Sequence, residues 1–346
     1  MMSILLKRQA WCLYLLCLPL LSLGQGDQEL TPVTSTYVLK GATVVTQPGT
    51  VLENTTILVE DGLIRTVGSR VPIPSHAKVI ECDSLYVYAG FIEALSHTGI
   101  PARERDRNEE RPKVDNPGSP PNDVAGIVPD RSVRDVLKAD DKSIEESRKV
   151  GFTLSHVVPR GQMLPGKGSL VLLGEGEVDA LILKENVSLY AQFSGARGMY
   201  PATVIAVMAK WRDLYRQAMY RKEHRETFAS NGGGVERPRY DRATEAMFDV
   251  IDGLPVYFNA WNSNYMHQAY HLADDLGFNL IIGEAKQGFR LVDKVRAAGK
   301  PVVVSLDLPE DKSEKSKKKK DDEEAEEKEM SMAEKERAAL VERRQA

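Results

Sequence analysis

Cysteine is scarce in this chain: three residues in 346, and two of them, Cys12 and Cys17, fall within its opening apolar run. If that run is removed, only Cys82 remains, so no internal disulfide can form and stability must come from an apolar core. Charge of one sign is also lacking. Lys and Arg number 46 against 50 Asp and Glu, a net charge of −4, which excludes the basic footprint of a nucleic-acid binder. Nor is there a long uninterrupted hydrophobic run. The stretch from Trp11 to Leu23 falls short of the roughly 20 residues a spanning helix needs, and Pro19 interrupts it.

What stands there reads as a signal peptide over residues 1–24. Lys7 and Arg8 give the basic start, the leucine-rich run the apolar middle, and Ser22-Leu23-Gly24 the small residues for cleavage after Gly24. The mature protein is expected to be exported, periplasmic or extracellular, with no stable membrane span. Lipid attachment at Cys17 is disfavoured by the bulky Leu15 and Leu16 before it.

With 42% hydrophobic residues, the remainder has enough apolar content for a sizeable core. Residues 35–89 read as a small β-sandwich-like unit of short strands, Tyr37–Val45, Thr55–Val59, Leu63–Val67 and Val79–Val87. Asp61-Gly62 between two of them is a hairpin signal, because that turn needs positive φ. Cys82 is expected to be a buried strand residue. From Gly90 to Pro309 strands and helices alternate, which predicts an α/β fold with a partial TIM-type (β/α) barrel. Expected strands are Gly90–Ser96, Phe152–Val158, Ser169–Leu173, Ala180–Leu183, Pro255–Ala260, Asn279–Gly283 and Pro301–Leu306. Expected helices are Ser132–Val150, Thr203–Glu226, Arg242–Ile251, Ser263–Leu276 and Gly288–Ala298. About five or six parallel β/α units fit where a closed barrel needs eight, so the chain is expected to be a fragment. Residues 310–346 form a charged tail. From Asp311 onward 11 Lys and Arg nearly balance 12 Asp and Glu, which predicts a solvated helix or disorder rather than a binding tail.

Several separated pieces match one family in order: Gly41-Ala42-Thr43-Val44-Val45, then Val59-Glu60-Asp61-Gly62-Leu63-Ile64 with Val67-Gly68, then Gly90-Phe91-Ile92-Glu93-Ala94. The chain thereby resembles the amidohydrolase superfamily, near its imidazolonepropionase-like and dihydroorotase-like members. The resemblance implies a metal-dependent hydrolase of non-peptide C–N bonds, acting on a cyclic amide, imide or related small molecule, with a divalent metal such as zinc. It also implies a His-x-His pair ending the first barrel strand, where alternation points both imidazoles at one metal. The matching triplet is Leu95-Ser96-His97: His97 takes the second ligand position and Leu95 replaces the first. Glu93 lies on the same face. Asn259 stands where the fifth strand would carry histidine, Glu284 near the next ligand position, and His156 could line the interior close to His97. Leu95 and Asn259 are expected to line the cavity. The family's bridging lysine has no clear counterpart, and its eighth-strand aspartate lies beyond residue 346. Leu95 favours the alternative: a catalytically inactive relative that binds a ligand or partner.

The remaining motifs point to bland roles. His267 and His271 have zincin spacing, but Gln268 replaces the required glutamate. At 100° per residue both fall opposite the apolar face of their helix and are expected in solvent. Gly161–Gly168 lacks P-loop spacing and is expected to shape the cavity. The proline-rich loop Pro101–Pro129 is expected to be a lid or disordered. Asn54 and Asn186 begin glycosylation sequons.

Overall fold

The computed structural model describes residues 35–102, 113–230 and 234–305. The expected signal peptide, the charged segment 310–346 and part of the Pro101–Pro129 loop lie outside the described residues. The chain divides into two compact units between Ala89 and Gly90.

The first unit is a single five-stranded sheet rather than two packed layers. Its strands are β1 (Tyr37–Gln47), β2 (Thr50–Glu60), β3 (Leu63–Gly68), β4 (Lys78–Glu81) and β5 (Tyr86–Tyr88). They run in the order β3-β2-β1-β4, with β5 also on β1. Asp61 and Gly62 both take positive φ, 52° and 75°, between the antiparallel β2 and β3. That is the mirror-image turn whose twist suits a tight hairpin. Val38, Ala42, Val44, Ile57 and Cys82 are buried. Cys82 sits just past β4, where its N–H donates to the Lys40 carbonyl at 2.7 Å. The single strand expected over Val79–Val87 is split there, since Ser84 turns at φ 66°.

The second unit runs β6 (Phe91–Ser96), α1 (Lys142–Lys149), β7 (Phe152–Val157), β8 (Gly166–Leu172), α2 (Val178–Leu181), β9 (Ile182–Gln192), α3 (Val204–Ser230), α4 (Arg242–Ala246), α5 (Phe248–Ile251), β10 (Val256–Asn259), α6 (Ser263–Leu276), β11 (Leu280–Gly283) and α7 (Val292–Ala298). Its six strands order as β11-β10-β9-β8-β7-β6. β6/β7, β9/β10 and β10/β11 are parallel, but β8 is antiparallel to both its neighbours. The all-parallel expectation fails at this strand for a steric reason. A parallel return needs a crossover of about a dozen residues or more, and residues 158–165 are too few.

Other differences are local. The helix expected over Ser132–Val150 is two pieces, because it contains two caps. Ser132 forms a capping box with Asp135 over one 3-10 turn, and Asp141 accepts from Ser143 N–H to start α1. Of the strand expected over Ala180–Leu183, Ala180 and Leu181 end helix α2, and Ile182 and Leu183 begin β9. Of the strand expected over Pro301–Leu306, the described residues form a bridge from Val302 to Ile282. Helix α6 matches its expected span: Asn262 accepts from Tyr265 N–H at its start, and Gly277 in the left-handed region ends it.

The core lies on the outer face of this sheet. Leu189, Ala191, Val256, Phe258, Leu280 and Ile282 pack outward against Val207, Trp211 and Leu214 of α3 and Met266, Ala269 and Leu272 of α6. Alternation therefore turns Ser188, Tyr190, Tyr257 and Asn259 to the inner face. The sheet is strongly curled. Leu95, on one edge strand, lies so near Gly283 on the other that a Cβ at Gly283 would fall 2.7 Å from Leu95 Cδ2. A Cβ at Gly283 would have to displace the tip of the Leu95 side chain. No described helix is long and apolar enough to cross a membrane.

Candidate functional site

The inner face holds two layers of polar side chains. In the deeper one His156, on β7, is buried. Its Nδ1 donates to the Ala94 carbonyl at 3.0 Å, which leaves Nε2 to accept from Ser188 Oγ at 2.8 Å. The ring packs on Tyr257 at 4.4 Å between centroids. With both nitrogens hydrogen-bonded, His156 ties β6, β7 and β9 together, and any ligand at Nε2 would have to displace Ser188. Burial holds its pKa below the usual 6.5, against the smaller opposing effect of the Ala94 bond. The unfolded chain thus binds a proton more readily than the folded one. Stability from this group is complete above pH 6.5 and is lost as pH falls below it. Thermal unfolding of the full chain between pH 7 and 5 should show the melting temperature falling with pH, less steeply for His156→Gln.

The upper layer lies at the C-terminal strand ends, where β/α sheets place their binding sites. His97 follows β6 directly, and its Nδ1 donates to the Val158 carbonyl at 2.8 Å. That bond fixes the tautomer and leaves Nε2 as the acceptor. The ring meets Tyr190 edge-on at 5.7 Å and 80°. Burial lowers the His97 pKa, the Val158 bond opposes this, and Arg160 and Glu284 follow with charges of opposite effect. Burial likewise pushes the Tyr190 phenol up to about 12, so it stays protonated. Asn259 Nδ2 donates to Tyr190 Oη at 3.0 Å, and that bond leaves the phenol's own O–H free to donate. Asn259 Oδ1 is buried without a hydrogen-bond partner. Glu284 follows Gly283 in the left-handed region, φ 54°. Ala260 N–H, donating to the Gly283 carbonyl at 3.1 Å, ties the ends of β10 and β11 together.

This brings His97, Asn259 and Glu284 to one mouth, as the sequence suggests, and adds Tyr190 and Arg160, which sequence reasoning missed. Tyr190 had a signal: it is two residues from Ser188 on an alternating strand. Arg160 had none, being placed by the loop after β7. The Gly161–Gly168 segment is anchored rather than open: Gln192 Nε2 donates to the carbonyls of Gly161 and Gln162, and Arg131 Nε to that of Pro165. Its last residues begin β8. His267 and His271 are exposed on α6, and His267 Nδ1 pairs with Lys294 Nζ at 2.8 Å.

The mouth does not fit a divalent metal. A catalytic zinc site takes three protein ligands, yet no group of three or more His, Cys, Asp or Glu gathers among the described residues. At the position of a second imidazole, Leu95 instead packs on Gly283. Among the described residues, donors of the kinds that usually ligate zinc are limited here to the neutral His97 Nε2 and the Glu284 carboxylate, with the Asn259 amide oxygen beside them.

No protein-family model and no curated protein matches the chain. Among solved structures, it is similar in fold to an amidohydrolase from Thermotoga maritima MSB8. Identity is 21% and the TM-score 0.65, with 78% of this chain and 70% of that one covered. Two others match at lower TM-scores. Phenylurea hydrolase B is 14% identical with TM-score 0.32, covering 78% of this chain and 64% of that one. An L-hydantoinase (dihydropyrimidinase) from Arthrobacter aurescens is 12% identical with TM-score 0.31, covering 78% and 57%. The chain thus spans less than two thirds of the length of these last two.

Proposed function

We propose, on the premise of an amidohydrolase-type fold, that the mouth of the curled sheet binds a small amide, imide or related cyclic molecule without a resident metal. The observation that carries this reading is the buried, unpartnered Asn259 Oδ1. An acceptor left in that state costs about 1–3 kcal/mol, and a ligand N–H would recover it. Its surroundings complement the rest of an amide group. The Tyr190 O–H can donate to a carbonyl, and His97 Nε2 can accept a further N–H.

Hydantoin titrated calorimetrically into the full chain should bind saturably. Asn259→Ala should weaken it by about tenfold or more, the worth of one such bond. Equal binding by the variant would contradict the reading.

A second reading, hydrolysis of the C–N bond in such a molecule, draws on one observation: His97 presents a free Nε2 within reach of the Glu284 charge. It predicts ring opening of hydantoin that is lost in His97→Ala. On either reading the protein is exported, a proposal resting on Lys7, Arg8 and the run Trp11–Leu23. N-terminal sequencing of the secreted form should then begin at Gln25; an intact Met1 would contradict it.

A further inference from the structure

The first unit is open along one edge in a way that sheets usually avoid. β3 is an outer strand, and among the described residues no strand pairs with its far side. Five of its six residues are exposed. They include apolar side chains on both faces: Leu63 at 57%, Ile64 at 68% and Val67 at 39%. Such an edge presents a row of unpaired N–H and C=O groups, which proteins ordinarily blunt with short strands, lysines or prolines. The opposite edge is blunted in this way. β4 has four residues with Lys78 and Glu81 at its ends, and β5 has three. β3 carries neither lysine nor proline, and its one charge, Arg65, turns back to Glu60 of β2 at 3.7 Å.

The register makes this edge complementary to itself. Val67 lies opposite Ile57, Ile64 lies opposite Val59, and an irregularity between Leu58 and Val59 leaves Arg65 as the extra residue of a bulge. Residues three apart on a regular strand face opposite ways. The bulge instead turns Ile64 and Val67 to one face. That face is apolar across the unit, since Ile57 pairs with Leu39 and Leu39 with Ile80. When a second β3 runs antiparallel to the first, with a two-fold axis between residues 65 and 66, Ile64 meets Val67 of the second copy and Val67 meets its Ile64. Leu63 meets Gly68 on the other face. Each Arg65 meets a threonine rather than another arginine, so no like charges oppose. Directly opposed residues of an antiparallel pair must share a face, and the bulge is what allows Ile64 and Val67 to do so.

We infer that two copies of this chain associate through β3, antiparallel across a two-fold axis, so that their sheets become one. The pairing consumes both open edges and closes at the dimer. A six-residue ribbon is a small interface, so the association is weak and concentration-dependent. The inference is independent of the amide-binding reading.

Sedimentation equilibrium of the purified full chain over a wide concentration series tests it. The native chain should pass from monomer to dimer as concentration rises. Ile64→Lys should raise the dissociation constant by about tenfold or more, the scale of two lost cross-strand pairs, and Val67→Glu should do the same. Both sites are exposed, so the melting temperature of each variant should stay near that of the native chain. The double variant Ile64→Lys/Val67→Glu sets opposite charges across the axis and should regain most of the lost affinity. A chain that stays monomeric at every concentration contradicts the inference. So does a dimer that Ile64→Lys leaves unchanged, or a double variant that associates no better than either single one.

Discussion

Replacing Leu95 with histidine should raise the zinc affinity of the mouth by at least about tenfold, measured by competition with a chelating dye. Leu95 near the end of β6 and His97 just past it are two apart, so alternation turns both side chains to the inner face. Leu95 already extends across to Gly283, next to Glu284. An imidazole in its place would enter the space that His97 Nε2 and Glu284 border, and would raise the donor count from two to three. Three is the number of protein ligands a catalytic zinc takes. Loss of a mere supporting partner to a metal ligand changes affinity by about 10–100-fold, so a direct ligand should matter at least as much. Leu95→Asn, similar in size and unable to supply an imidazole, should leave affinity near that of the native chain. If Leu95→His binds zinc no better than the native chain, the side chain at 95 does not face the mouth as described.

The largest stability effect should follow from Trp211→Ala. Trp211 is fully buried on α3 and meets Phe258 at 5.8 Å and Phe278 at 5.5 Å, both near edge-to-face. It therefore joins the outer helices to β10, the strand that delivers Asn259. Truncating a buried tryptophan costs about 3–5 kcal/mol, a large share of the roughly 5–15 kcal/mol that holds a domain together. For a unit of this size, a melting temperature lower by roughly 6–20 °C follows. Trp211→Phe should cost much less, because the indole Nε1 has no hydrogen-bond partner to lose. A melting temperature for Trp211→Ala within about 2 °C of the native chain, a shift that corresponds to no more than about 1 kcal/mol, would show that this cluster does not anchor the second unit.

Local chemistry made much of the fold legible in advance. Asp61-Gly62 announced its hairpin because positive φ at both residues is a local requirement, and the structure meets it there. Helix α6 was readable to the residue because Asn262 and Gly277 supply their caps from within the same short segment. The family resemblance pointed to Asn259 as the residue at the end of β10, and the strand does end there. What could not be read depends on long-range geometry. The reversed direction of β8 follows from the short loop before it, since the strand begins at Gly166. The contact between Leu95 and Gly283 arises because the sheet curls until its two edge strands approach, and no sequence window spans both. His156 resembled a ligand by position, but the partners that occupy its nitrogens, Ala94 and Ser188, come from two other strands. Tyr190 gains its importance from Asn259 on a neighbouring strand.

The claim under all of this is that the polar mouth is built to hydrogen-bond an organic molecule and offers two imidazole or carboxylate ligands where a catalytic zinc takes three. Zinc content of the full chain, purified free of chelator, equilibrated with zinc and then desalted, tests it most directly. The account predicts zinc well below one ion per chain, unchanged by His97→Ala. One or more ions per chain, lost when His97 is replaced, would contradict it.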